Sequence, residues 1–204
     1  GCTSLTSIRF ADGVEKYRTD DSGVLYEKNE TGWTLLYIPA GVKFDSFEVP
    51  ADVTVINGGL FANTGVKTIT FADSELPLEL KNGEYTWFED ELKYHYLGAF
   101  AMCKQLTSFA LPNRVTVIGE GTFDGCSALA SVTIPAGVTS IGTAAFSGCT
   151  SLESLTLPAG VTSIGTAAFS GCTSLTSITL PASVVKTGYY LFEDWTSAQT
   201  VNVA

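Results

Sequence analysis

Five phenylalanines, Phe100, Phe123, Phe146, Phe169 and Phe192, recur every 23 residues, and Cys103, Cys126, Cys149 and Cys172 keep the same step. A period of about 20 to 29 residues belongs to solenoids made of single coils, each of which hides its apolar side only by stacking on the next. The chain is therefore a repeat protein. Repetition specifies the scaffold and leaves any ligand to surface positions that the repeat does not constrain.

Cys126 to Gly148 reads CSALASVTIPAGVTSIGTAAFSG, and Cys149 to Gly171 reads CTSLESLTLPAGVTSIGTAAFSG. Within each unit the apolar residues follow L-x-x-L-x-L and stop at a proline: Leu129, Val132, Ile134 before Pro135, Leu152, Leu155, Leu157 before Pro158, and Leu175, Ile178, Leu180 before Pro181. The last two apolar positions alternate with the period of a strand. Proline lacks the N–H that an inner strand position needs, so it marks the strand's end. The run from Val138 to Gly142 predicts a second short extended segment, and Ala144-Ala145-Phe146 a brief helical or irregular turn with its phenylalanine stacked inward.

The first half shows the same unit with interruptions at about 11–48 and 72–93. Val49 to Phe61 matches Ile134 to Phe146, and Val66, Ile69 and Phe71 supply the next L-x-x-L-x-L. Val24 to Tyr26 and Leu35 to Ile38 flank the polar stretch Lys28 to Gly32, which predicts a hairpin. The second interruption is rich in acids and holds Tyr85, Trp87 and Phe88, with Asn82-Gly83 as a two-residue turn. The repeat is expected to resume at Tyr94 to Gly98, aligned with Val138 to Gly142.

The unit L-x-x-I-x-L-P-x-x-V-x-x-I-G-x-x-A-F-x-x-C resembles that of the BspA-like, or Treponema pallidum type, leucine-rich repeats. The resemblance covers residues 103 to 195, and Gly1 to Ile8 repeats Gly171 to Ile178 letter for letter. Where the commoner leucine-rich repeat carries Asn or Cys after its strand, proline and alanine stand here. The resemblance implies a right-handed solenoid, mostly parallel β with short helical turns, with GVLYEKNETGWTLLYIPAG as a family-type hairpin insert. It also implies a bacterial cell-surface or secreted setting and adhesin-like binding to host or neighbouring-cell macromolecules. Since Gly1-Cys2 begins in mid-repeat, residues 1–204 read as one solenoid cut from a longer protein.

The cysteines sit at one repeat position, where stacked Cβ vectors run parallel and do not favour bridging. They read as buried thiols serving as small hydrophobes. No C-x-x-C or paired histidine suggests zinc, and the sequence implies no cofactor. Of the formal charge of −10, most lies in the first half. An acidic chain repels phosphate backbones, which makes nucleic acid a poor partner, and no apolar run approaches the roughly 18 residues of a membrane span. The acids at Asp20-Asp21, Glu89-Asp90-Glu91 and Glu193-Asp194 admit a calcium reading, but without a D-x-D-x-D-G loop they read as solvated surface charge.

Catalysis has little to build on, because His95 is the one histidine and its aligned position, that of Thr139, faces solvent. Binding is better supported. The residues on either side of each strand's buried centre point outward, so Ser131 and Thr133, Ser154 and Thr156, Ser177 and Thr179 line up with Ser108 and Ala110 and with Thr200 and Asn202 in a hydroxyl-bearing ladder. Such a face suits hydrogen bonding to a protein or glycan. Tyr85, Trp87 and Phe88 are the aromatic candidates for a contact patch, with Trp87 the residue to stack on a sugar in a glycan-capture reading. A spacer that carries some other domain is the third reading.

Overall fold

A computed structural model describes residues 8–11, 13–39, 41–62, 64–82, 84–88 and 93–204, without the side chains of 84, 85, 87, 88, 93 and 94. The described residues form a β-solenoid of about seven turns and contain no helix. In chain order the strands are β1 (Tyr17–Thr19), β2 (Leu25–Lys28), β3 (Trp33–Tyr37), β4 (Ser46–Val49), β5 (Val53–Ile56), β6 (Thr68–Phe71), β7 (Glu79–Leu80), β8 (Glu84–Phe88), β9 (Lys93–Leu97), β10 (Ser108–Ala110), β11 (Val117–Ile118), β12 (Ser131–Thr133), β13 (Ser140–Ile141), β14 (Ser163–Ile164), β15 (Ser177–Leu180), β16 (Lys186–Thr187) and β17 (Thr200–Val203).

Each repeat contributes to two parallel ladders joined by a proline turn, in which the Val138 N–H donates to Pro135 O and the Val161 N–H to Pro158 O. The L-x-x-L-x-L ladder holds the pairs β4–β6, β10–β12 and β15–β17. The second ladder runs β11-β13-β14-β16, with Val117 opposite Ser140, Ser140 opposite Ser163 and Ser163 opposite Lys186. The register equals the sequence period because only that offset superposes apolar positions of successive coils.

Between the ladders lies a file of aromatic rings. Phe61, Phe100, Phe123, Phe146 and Phe169 are fully buried, and Phe100–Phe123, Phe123–Phe146 and Phe146–Phe169 stack with centroids 5.6, 5.3 and 5.9 Å apart. Each such ring is worth about 1.5–3 kcal/mol of burial.

Of the helical or irregular turn expected at Ala144-Ala145-Phe146, the irregular form is adopted. Ala144 and Ala167 adopt φ of 52° and 54°, the left-handed region, which ends any right-handed helix. Inter-coil hydrogen bonds hold them there: the Ala144 N–H donates to Thr166 O at 2.8 Å and the Phe146 N–H to Ala168 O at 2.9 Å. A second left-handed position follows each phenylalanine, at Met102, Gly125, Gly148, Gly171 and Asp194. Alanine's helix propensity is overridden by the ladder.

The first hairpin forms as expected, with β2 antiparallel to β3. Its partner β1 extends it, and β3 joins β5 in parallel, so the insert continues the solenoid's own sheet. Arg18 lies over Tyr26 and Trp33 and grips Asp52 through both terminal nitrogens, at 2.6 and 2.7 Å.

The second interruption is arranged differently from expectation. Glu79–Leu80, within the stretch read as inserted, pairs with β5 and carries the second ladder forward as β7. Tyr94 to Leu97 does not resume the ladder; it lies in β9, antiparallel to β8. Residues 89–92, between β8 and β9, lie outside the described residues, as does Gly83, and Asn82, expected in the hairpin's turn, stands before β8. The Asn82 side-chain oxygen instead accepts from the Glu120 N–H.

Candidate binding face

The strands of the L-x-x-L-x-L ladder bury every second side chain, with Phe109, Val132, Leu155 and Ile178 inward. Ser131, Thr133, Ser154, Thr156, Ser177 and Thr179 are all exposed, as are Ser108, Ala110, Thr200 and Asn202. Serine stands opposite serine from Ser108 to Ser131 and from Ser131 to Ser154. The outcome is a row of hydroxyls, with the exposed Glu153 beside it.

This ladder is broken in two places, and a cleft opens at each. Between β6 and β10 lies one of about 830 Å³, bounded by Phe71, Asp73 and Glu75 on one side and by Leu111, Asn113 and Arg114 on the other. Arg114 donates from Nη1 to Val53 O at 2.6 Å, while its Nε and Nη2 are buried without a hydrogen bond. Burial lowers the pKa of this guanidinium.

The second cleft, of about 500 Å³, separates the segment 153–157 from β15. Ser154 keeps one bridge to Ser131, and no main-chain hydrogen bond joins 153–157 to 176–180. On the opposite ladder the same two coils remain paired, Ser163 with Lys186. Main-chain pairing between these two coils is therefore missing on the hydroxyl face, above the buried Leu155, Leu157 and Ile178.

His95 is a correction to the sequence reading: it is 2% exposed, not solvent-facing. It belongs to β9, whose Tyr96 N–H donates to Asp124 Oδ2 at 2.8 Å, and this brings His95 Nδ1 to 3.1 Å from Asp124 Oδ1. Asp124 occupies the repeat slot of Ser147 and Ser170, and the sequence carried that signal as Phe123-Asp124-Gly125 in place of Phe-Ser-Gly. A histidine beside a carboxylate is half of a nucleophile triad, but at this burial no substrate reaches it. Its place in the fold ties the β8–β9 hairpin to the solenoid. Tyr85, Trp87 and Phe88 lie on β8, and their side chains fall outside the described set.

The four described cysteines are free and buried, and they do more than fill space. Cys126, Cys149 and Cys172 donate S–H to the main-chain oxygens of Phe100, Phe123 and Phe146 at 3.1, 3.2 and 3.1 Å. Cys103 makes the longer contact to Phe61 O, and in the last coil Trp195 Nε1 takes over, donating to Phe169 O at 3.1 Å. Burial pushes the Cys172 thiol up to about 12. Of the acids weighed for calcium, Asp20 is spent on its own turn, accepting from the Ser22 and Val24 N–H groups and the Tyr26 hydroxyl. Glu193 and Asp194 are exposed, and Glu89-Asp90-Glu91 lies outside the described residues. Among the described residues no acid, cysteine and histidine group suits a metal ion, and no helix is long and apolar enough to cross a membrane.

The BspA type leucine rich repeat region matches this chain in six copies, over residues 40–90 and 94–204. Among solved structures it is similar to the T. pallidum leucine rich repeat protein TpLRR, at 25% identity and a TM-score of 0.56, over 86% of this chain and 66% of that one. It is also similar to a leucine-rich repeat protein from Eubacterium ventriosum, at 23% identity and a TM-score of 0.62, over 95% of this chain and 53% of that one. The chain thus spans between about half and two thirds of the length of these two structures. No curated protein matches it. With the repeat matched across both halves and the solenoid formed as the repeat requires, the chain belongs to the BspA-type leucine-rich repeat family.

Proposed function

We propose that this chain is a non-enzymatic interaction module of a bacterial cell-surface or secreted protein, which binds extracellular macromolecules of a host or neighbouring cell in the manner of an adhesin. The observation that carries this reading is the exposed, uncharged hydroxyl row from Ser108 to Asn202, held on a rigid core and interrupted by two clefts. Such a face makes many weak polar contacts and little electrostatic steering, which suits a protein partner more than a phosphate backbone.

The test is biolayer interferometry of the chain against immobilised extracellular-matrix proteins and glycans, with Ser131→Lys/Thr133→Lys as the control. Saturable binding to a protein that this variant weakens tenfold or more, about 1.4 kcal/mol, supports the ladder face. Binding to glycans alone moves the site to Trp87, and silence across the panel favours a spacer.

A further inference from the structure

The second cleft presents something a hydroxyl row does not: unpaired main chain in strand conformation. The Thr200 N–H donates to Thr176 O and the Ala204 N–H to Leu180 O. In a parallel ladder alternate residues point their N–H and C=O to opposite edges, so Thr176, Ile178 and Leu180 face β17. Ser177 and Thr179 then turn their main-chain groups toward the segment 153–157, where no main-chain partner meets them. These groups sit at the lip of an open cleft of about 500 Å³ whose floor is Leu155, Leu157 and Ile178.

Unpaired N–H and C=O groups in a row recruit a strand. We propose that this cleft binds an extended polypeptide segment of the partner by strand addition to the Ser177–Thr179 edge. The proposal rests on the protein-binding reading of the ladder face and gives it a mode. The incoming segment hydrogen-bonds through its backbone to Ser177 and Thr179 and sets apolar side chains at alternate positions on Leu155, Leu157 and Ile178. Glu153 carries the one charged side chain at the lip, so segments carrying Asp or Glu are disfavoured. A glycan has no backbone that repeats at strand spacing and does not satisfy these groups.

The experiment uses the intact chain and a peptide that copies Ser174 to Ala182, acetylated and amidated, read by amide hydrogen exchange and fluorescence polarisation. In the free protein the Ser177 and Thr179 amides exchange rapidly, and saturating peptide slows them about tenfold or more. A peptide N-methylated at alternate residues, unable to donate on one edge, binds at least about tenfold more weakly. Slow exchange at Ser177 and Thr179 in the free protein overturns the proposal, because the ladder would then be closed. So does protection at Val201 and Val203, which places the peptide on the outer edge of β17. Should Ser131→Lys/Thr133→Lys abolish binding to a protein ligand while the peptide protects nothing, strand addition falls and the ladder face stands.

Discussion

His95 Nδ1 stands 3.1 Å from Asp124 Oδ1, with the two side chains 3% and 2% exposed, and this contact joins the β8–β9 hairpin to a coil of the solenoid. Asp124→Ala removes that partner and also leaves the Tyr96 N–H without its acceptor. The expected loss is about 2–4 kcal/mol, since a buried group stripped of its partner keeps its desolvation cost. A double-mutant cycle with His95→Ala should give a coupling of about 1 kcal/mol or more. Strictly additive losses in denaturant unfolding would reduce the pair to mere proximity.

Phe146 is fully buried between Phe123 and Phe169. Phe146→Ala should cost about 3–5 kcal/mol, while Ser154→Ala on the exposed face stays within about 0.5. Because each coil leans on its neighbours, the loss should spread beyond one repeat. Thermal unfolding that ranks the two variants together would take Phe146 out of the core.

The buried thiols should resist alkylation in the native protein at pH 8. The thiolate is the reactive form; burial drives the Cys149 thiol well above its ordinary range, and hydrogen bonding with Cys126 and burial do the same for Cys103. Iodoacetamide mass mapping is expected to label Cys103, Cys126, Cys149 and Cys172 only after denaturation. Labelling of Cys149 at the rate of a free peptide thiol would mean that the coils part in solution.

The first hairpin should answer to acid. Arg18, through its hydrogen bonds, holds the Asp52 carboxyl below the usual carboxylate range. A depressed folded pKa adds stability that is complete above the unfolded value of about 3.9 and is lost as pH falls through the lower, folded one. The pair is half-exposed, so at pH 7 Asp52→Asn should cost only about 0.5–1 kcal/mol. That difference from the wild type should narrow below about pH 4, and a gap that stays constant to pH 2 would contradict the assignment.

The repeat made the core legible: the period of Phe100 to Phe192 gave the register, and the alternation around Val132, Leu155 and Ile178 gave the side that faces out. What misled was local. Ala144-Ala145 carries a helical preference that hydrogen bonds from the next coil overrule, and neither those bonds nor the φ of 52° has a signature in a single unit. Glu79–Leu80 fills the ladder slot that the repeat spacing assigns to Tyr94 to Gly98, and β9 pairs instead with β8. His95 moved from surface to interior with it.

By itself the sequence determined the scaffold, since apolar residues repeating every 23 positions bury themselves only by stacking in one register. Tertiary structure alone decided where that scaffold opens. Whether neighbouring strands close their hydrogen bonds is decided between coils and not within one, and nearly identical repeats read the same whether paired or parted. Ser131 and Ser177 hold one place in the repeat, yet Ser131 lies opposite both Ser108 and Ser154, whereas Ser177 lies opposite Thr200 alone and borders a cleft on its other side.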